Sequence, residues 1–273
     1  KKNYDIDGLP RFEAPKYGRG KLTHGIYEDT GEAAIRGSDK DWVELQYRNG
    51  KSKASLDNLD AEAGTPIRVN GYIYDVLSKL RSNGDDFIPS APKMKTDVVA
   101  RSKHDSFMRA MNTARGLRDQ KFYNGMSNDK YGRTYSNASA LQWQGDDFNR
   151  GLMLFDTSVE LGKDGLEHYK QAFMNIAGFD KIPLRERNRL YDLIDDDLIL
   201  KTAADPFGND WWRTKSNWIE TGVFKNLRGV DVKYKVPKGE GGTMRVLDEI
   251  KKLAVEADPR GDGAMQFLAM IKE

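Results

Sequence analysis

The sequence contains no cysteine. That excludes disulfides, cysteine nucleophiles and thiolate zinc sites, and it fits a reducing compartment. Histidine is scarce as well. His24, His104 and His168 stand far apart, and no pair has helical metal-ligand spacing, which argues against a zinc hydrolase. No apolar run approaches the roughly 18 residues of a membrane-spanning helix, so no membrane partner is expected. No apolar stretch follows Lys1 and Lys2, so the N-terminus does not read as a secretory signal. An excess of one charge is also missing: 44 basic against 42 acidic residues leave +2, unlike a simple DNA coater. Any nucleic-acid surface must come from local segregation of charge. No internal repeat or low-complexity segment is visible.

What is present describes a polar globular chain. Its 273 residues are enough for one or two domains with a real core. Five Trp, twelve Tyr and eleven Phe argue against disorder. The expected fold class is mainly α with a few short β-strands (α+β). Residues 1–63 read as an irregular arm with one short hairpin, where Asp41 to Tyr47 alternate and Asn49-Gly50 turns. Residues 65–83 read as a helix capped by Thr65, with Pro66 in the first helical position. A second helix spans 96–121, with Phe107, Met111 and Ala114 on the core stripe and Arg101 and Arg109 turned away from it. Its basic neighbourhood also fits a merely solvated helix face. After a glycine- and aromatic-rich stretch at 122–150, helices are expected over 163–177, from Pro183 to about 195, and over 210–227. Gly178 stops the first of these. A strand-like stretch follows at 230–236, and two short helices end the chain.

The chemistry concentrates in Asp129-Lys130-Tyr131-Gly132-Arg133-Thr134-Tyr135. Eleven residues separate Gly132 from Gln144-Gly145-Asp146-Asp147, and Arg150-Gly151 follows. Gly132 permits a backbone conformation closed to other residues and a close approach to a polyanion. Arg133 offers a planar fork of donors for phosphate or a sugar edge. Asp129 is placed to orient that arginine, and Arg150 adds a second cation. The set suits a nucleic-acid backbone. Taken alone, so short a pattern also fits a turn with an exposed arginine.

This D-x-x-G-R-x-Y segment, its spacing to Q-G-x-D and the basic residue beyond resemble the single-subunit RNA polymerases of T-odd phages and mitochondria. Thr65-Pro66-Ile67-Arg68-Val69-Asn70 is similar to the family's helix start before the thumb. Ala177-Gly178-Phe179-Asp180-Lys181-Ile182-Pro183 with Glu186-Arg187 resembles its A-G-x-D-K-x-P…E-R segment. Ala204-Asp205-Pro206 with Trp211-Trp212 resembles its A-D/S-P…W-W stretch. The four matches are collinear over residues 64–228. The resemblance implies a helical thumb plus a partial palm of a right-hand polymerase, with thumb-like helices at 64–121 and the palm start at 122–228. By resemblance, Asp129, Gly132, Arg133, Arg150, Lys181, Arg68 and Asn70 lie at nucleic acid, namely the DNA template and the RNA product, while Gly145 and Asp147 hold the turn. The chain departs from the pattern at Tyr131, where the family often has Arg, and at Trp143, where a small or polar residue is common.

Nucleotide transfer in that family uses two metal-binding aspartates on later palm motifs. Nothing after Trp212 resembles the first of them. His104-Asp105-Ser106-Phe107 spells the second, but it precedes D-x-x-G-R and sits in a helical pattern, so it reads as helix surface plus a core Phe. No catalytic residue is therefore expected in this chain. The implied arrangement is a two-polypeptide phage RNA polymerase, and the chain looks like the smaller subunit of the heterodimeric enzyme of N-four-like phages. A larger subunit would supply the fingers, the catalytic palm and its Mg2+, and this chain would bind no metal alone. Residues 229–273, above all 264–271, are a candidate subunit contact; docking on the chain's own core is the other use of that helix. A helper protein or a single-stranded template is expected for promoter use, and the implied location is the cytoplasm of an infected bacterial host. Two further readings stand beside this one: a non-catalytic single-stranded nucleic-acid-binding phage protein, and a metal nuclease built on Asp192, Asp195, Asp196 and Asp197.

Overall fold

Asn70 decides where the first long helix begins. Its Oδ1 accepts the Ile73 N–H at 3.2 Å, and helix α2 runs from Gly71 to Ser82. The structure is a computed structural model that describes residues 9–15, 17, 22–23, 26–27, 53–91, 97–129, 131–209, 211–213, 233–235, 243–245 and 264–272. With Asn70 as its cap, the helix expected from Thr65 and Pro66 starts five residues later than its sequence signals indicate. Ile67–Val69 form strand β3 instead. Ile67 and Val69 are buried while Arg68 points outward; this alternation belongs to a half-buried strand. Thr65 ends the preceding helix, its hydroxyl donating to the Ala61 carbonyl at 3.0 Å.

The chain forms two compact units, residues 1–158 and 159–273. In the first, strands β1 (Leu22–Thr23) and β2 (Ile26–Tyr27) pair antiparallel. Helix α1 (Lys53–Ala63) occupies part of the segment expected to be irregular. Only Leu59 and Ala63 of its residues are buried, so it shows no apolar stripe. The hairpin expected at 41–50 lies outside the described residues. Helix α3 (Val98–Leu117) buries Phe107, Met111 and Ala114 as the stripe requires, with Ala110 and Leu117 beside them. Strands β4 (Met126–Asn128) and β5 (Thr134–Ser136) make a hairpin. The short helix α4 (Asp147–Gly151) leads into β6 (Met153–Phe155), which pairs antiparallel with β3. Phe148 of α4 meets Phe107 edge-on at 5.1 Å and Phe87 at 5.9 Å, which pins α4 to α3.

The second unit is helical around an aromatic centre. Helix α5 (Gly162–Met174) passes into a π-helical turn, Asn175–Phe179, where Gly178 at φ +93° ends the helix as its position implies. Helix α6 (Leu184–Tyr191) begins after Pro183. Helix α7 (Asp196–Ala204) falls where the sequence shows mainly an acidic cluster, and Asp195 caps it. A 3-10 turn, Trp211–Arg213, follows; the rest of the helix expected to 227 lies outside the described residues. Strands β7 (Lys233–Lys235) and β8 (Thr243–Arg245) pair antiparallel. Helix α8 (Ala264–Lys272) buries Met265, Phe267, Leu268 and Ile271. Phe267 lies against Phe173 at 4.6 Å and Trp211 at 5.5 Å. Of the two uses open to 264–271, its apolar face takes the one on the chain's own core. Among the described residues, no helix is long and apolar enough to cross a membrane.

Candidate nucleic-acid interface

The loop between β4 and β5 carries the D-x-x-G-R-x-Y segment, and nearly every motif residue is spent on holding it. The Asp129 carboxylate accepts the main-chain N–H of Tyr131 at 2.8 Å and of Arg133 at 3.0 Å. Its second oxygen accepts the Tyr135 hydroxyl at 3.2 Å. The Asp129 N–H donates to the Arg133 carbonyl at 2.9 Å, and the Gly132 N–H to the Asp129 carbonyl at 3.1 Å. Gly132 sits at φ +78° with open space where a Cβ would be. Its backbone conformation, not crowding, calls for glycine. Asp129 thus sets Arg133 through the main chain. Its carboxyl is held below the ordinary carboxylate range, first by the Arg133 N–H, then by the Tyr131 N–H, the Tyr135 hydroxyl and the Arg133 charge, with partial burial opposing them. The member left over is the Arg133 side chain, which is exposed. Tyr135 gains its role only in the fold; in the sequence its one signal is its spacing from Asp129.

The second motif is tied onto the same hairpin. Gln144 Nε2 donates to the Thr134 carbonyl at 2.7 Å, and its Oε1 accepts the Ser136 N–H at 2.8 Å. The side-chain amide behaves as an added strand partner for β5. A Cβ on Gly145 would stand 2.7 Å from Asn149 Cβ, so the turn has no room for a larger residue. Asp146 closes this turn. Its Oδ1 accepts the Asn149 N–H at 3.0 Å, and its other oxygen takes the Ser106 hydroxyl at 3.1 Å. Asp147 occupies the first turn of α4, where a negative charge suits the helix dipole.

The other expected contacts are dispersed. Arg68 is exposed in β3, opposite Leu154 of β6. Asn70 is buried with its Oδ1 committed to capping α2, so its place in the structure is a cap and not a solvent-facing contact. Arg150 is half-buried in α4, and its Nε has no hydrogen-bond partner among the described residues.

Lys181 belongs to the second unit and is exposed on the turn before α6. Arg187 clamps that turn: Nη2 donates to the Asp180 carbonyl at 2.8 Å, Nε to the Ile182 carbonyl at 2.5 Å, and Nη1 to Asn175. The W-W pair is core. Trp211 and Trp212 are buried, and their Nε1 groups donate to Thr202 at 2.6 Å and to the Pro206 carbonyl at 2.9 Å. In the acidic cluster, Asp192 pairs with Lys170 at 2.6 Å and Asp195 caps α7. Among the described residues, no three acidic or histidine side chains come together as a metal site. The H-D-S-F letters lie on α3, with Asp105 exposed, Phe107 in the core and the His104 ring at 2.9 Å from the Pro89 carbonyl.

No family model matches the chain. It is 39% identical over 175 residues to the mitochondrial DNA-directed RNA polymerase of Neurospora crassa, a match covering 61% of this chain and 11% of that protein. The mitochondrial DNA-directed RNA polymerase of Schizosaccharomyces pombe is 27% identical over 204 residues, 63% of this chain and 17% of its own length. T7 RNA polymerase of Escherichia phage T7 is 33% identical over 84 residues, 31% of this chain and 9% of its own length. The matched region is thus under a fifth of each of these relatives. Over part of its length, the chain is similar in sequence to single-subunit DNA-directed RNA polymerases of mitochondria and T7-like phages.

Proposed function

We propose that this chain is part of a DNA-directed RNA polymerase and that its first unit touches the template strand or the RNA–DNA hybrid. One observation carries the reading: Asp129, Gly132 and Tyr135 are consumed in shaping a loop that fixes the Arg133 main chain and leaves its side chain exposed. A guanidinium on a rigid loop suits a phosphate, because the ordering cost is met within the fold. The two mitochondrial relatives named above are DNA-directed RNA polymerases by their printed descriptions. In this reading residues 64–121 belong to a thumb and 122–228 open a palm, with Arg68, Arg150 and Lys181 adding positive charge.

The reading extends to a two-polypeptide enzyme. A larger subunit carries the fingers, the catalytic aspartates and their Mg2+, a helper protein supports promoter use, and the complex works in the cytoplasm of an infected bacterium. Its support is the collinear resemblance of residues 64–228 to the single-subunit RNA polymerases.

The test is co-expression with the neighbouring genes of the source genome, pull-down of this chain, and RNA synthesis on single-stranded DNA with magnesium. A larger co-purifying protein and RNA made only by the pair are expected. Binding to single-stranded DNA with neither partner nor RNA would replace this reading with a non-catalytic binding protein. Transcription from an unaided duplex promoter by the pair would remove the helper.

A further inference from the structure

The turn at 141–145 is strained, pinned and crowned by an exposed aromatic pair. Leu141 is fully buried yet adopts φ +53°, a conformation rare for a branched side chain. Two buried asparagines hold it there. Asn149 Oδ1 accepts the Leu141 N–H at 2.8 Å, and Asn124 Nδ2 donates to the Leu141 carbonyl at 2.8 Å. Gln144 fixes the far side of the turn to β5, and the packing at Gly145 leaves it no slack. Backbone strain of this kind persists only where the surroundings over-determine it, and it concentrates at functional sites.

The residue so presented is Trp143. It remains 37% exposed and stacks on Phe155, itself 55% exposed, with ring centroids 4.9 Å apart and planes at 30°. Trp211 and Trp212 bury their rings and donate their Nε1–H groups. The Trp143 Nε1 has no hydrogen-bond partner among the described residues. Trp143 and Phe155 therefore form a solvent-facing ledge, joined through Gln144 to the strand that begins directly after Arg133. Asp146, Asp147 and Asp156 lie close in sequence, so the surroundings suit an uncharged ring plane, with phosphate left to Arg133.

We infer that the Trp143–Phe155 ledge stacks an unpaired nucleobase of a single strand whose backbone runs past Arg133. This rests on the interface reading above and goes beyond it by naming a subsite and the state of its ligand. Stacking is sequence-tolerant, because every base has a π-face, and it requires the base to be out of a duplex.

The test uses the full chain and oligonucleotides with 2-aminopurine at one position, unpaired in a DNA strand, unpaired in an RNA strand of the same sequence, and paired in a DNA duplex. The single strands should be quenched on binding and the duplex should not; whichever single strand binds more tightly names the source. Trp143→Leu keeps apolar bulk and removes the π-face. It should weaken single-strand binding roughly five- to 150-fold and abolish quenching, while Trp143→Phe keeps most of both. Phe155→Ala, at a half-exposed position, should also reduce quenching. If Trp143→Leu binds and quenches like the parent while Arg133→Ala weakens binding, the ledge is wrong and the interface stands. If Trp143→Leu loses binding and Arg133→Ala does not, the ledge stands and the Arg133 reading falls. No binding of any strand by the parent chain overturns both.

Discussion

Arg133→Ala is expected to weaken binding of single-stranded nucleic acid by about 1–2 kcal/mol, roughly five- to thirtyfold, at low salt. A hydrogen bond to a charged group typically contributes about 1.5–3 kcal/mol. The expected loss falls at and below the lower end of that range because Arg133 is exposed and its field is screened by salt. The loss should be uniform across sequences, since a phosphate contact carries no base information. The slope of log affinity against log salt should fall by about 1. Arg133→Lys keeps the charge but loses the fork, so it should recover the salt slope and only part of the affinity. An unchanged affinity for Arg133→Ala with an unchanged slope would remove this residue from the interface.

Phe107→Ala should cost about 3–5 kcal/mol of stability in the first unit, a large share of the roughly 5–15 kcal/mol typical of a domain. The ring is fully buried and meets Phe148 edge-on at 5.1 Å. Removing it opens a cavity beneath α4, the helix that carries Arg150 and whose Asn149 holds Leu141. Urea unfolding followed by circular dichroism should show the transition of the first unit moving to lower urea. Asp105→Ala, two residues away on the exposed face, should stay within about 0.5 kcal/mol of the parent. If Asp105→Ala instead abolished RNA synthesis by the assembled enzyme while leaving stability intact, the H-D-S-F letters would be an active-site motif after all.

The parts of this fold that a sequence shows are those whose signal is long and local. Helix α3 is legible because Phe107, Met111 and Ala114 repeat at helical spacing over about two turns. Gly178 and Pro183 were legible because each has a backbone reason to stand at a helix end. Strand β3 was not, since Thr65-Pro66 imitates a helix start and three residues are too few for alternation to compete. Its partners Phe122 and β6 lie far along the chain. Helix α1 was missed because two buried residues in eleven leave no stripe. Helix α7 was hidden by its own cap: Asp195 was read with its acidic neighbours as a charge cluster.

The site divides in the same way. The motif letters and their spacing could be read directly, and so could the chemistry of an arginine beside a left-handed glycine. The roles could not. Asp129 acting on the main chain, Gln144 serving as a strand partner, and Asn124 and Asn149 holding Leu141 all depend on which segments the fold brings together. Asn70, placed by resemblance at nucleic acid, caps a helix. Asp146 and Asp147 differ by one position, and only the cap geometry separates their roles.

The most direct test of the interface is hydrogen exchange of the full chain, free and bound to a single-stranded oligonucleotide. Slower exchange on binding is expected in peptides covering 131–136 and 142–145, the loop that presents Arg133 and the turn that Gln144 ties to it. Binding that leaves those amides unchanged and slows exchange only within 159–273 would contradict the assignment of the nucleic-acid contact to the first unit.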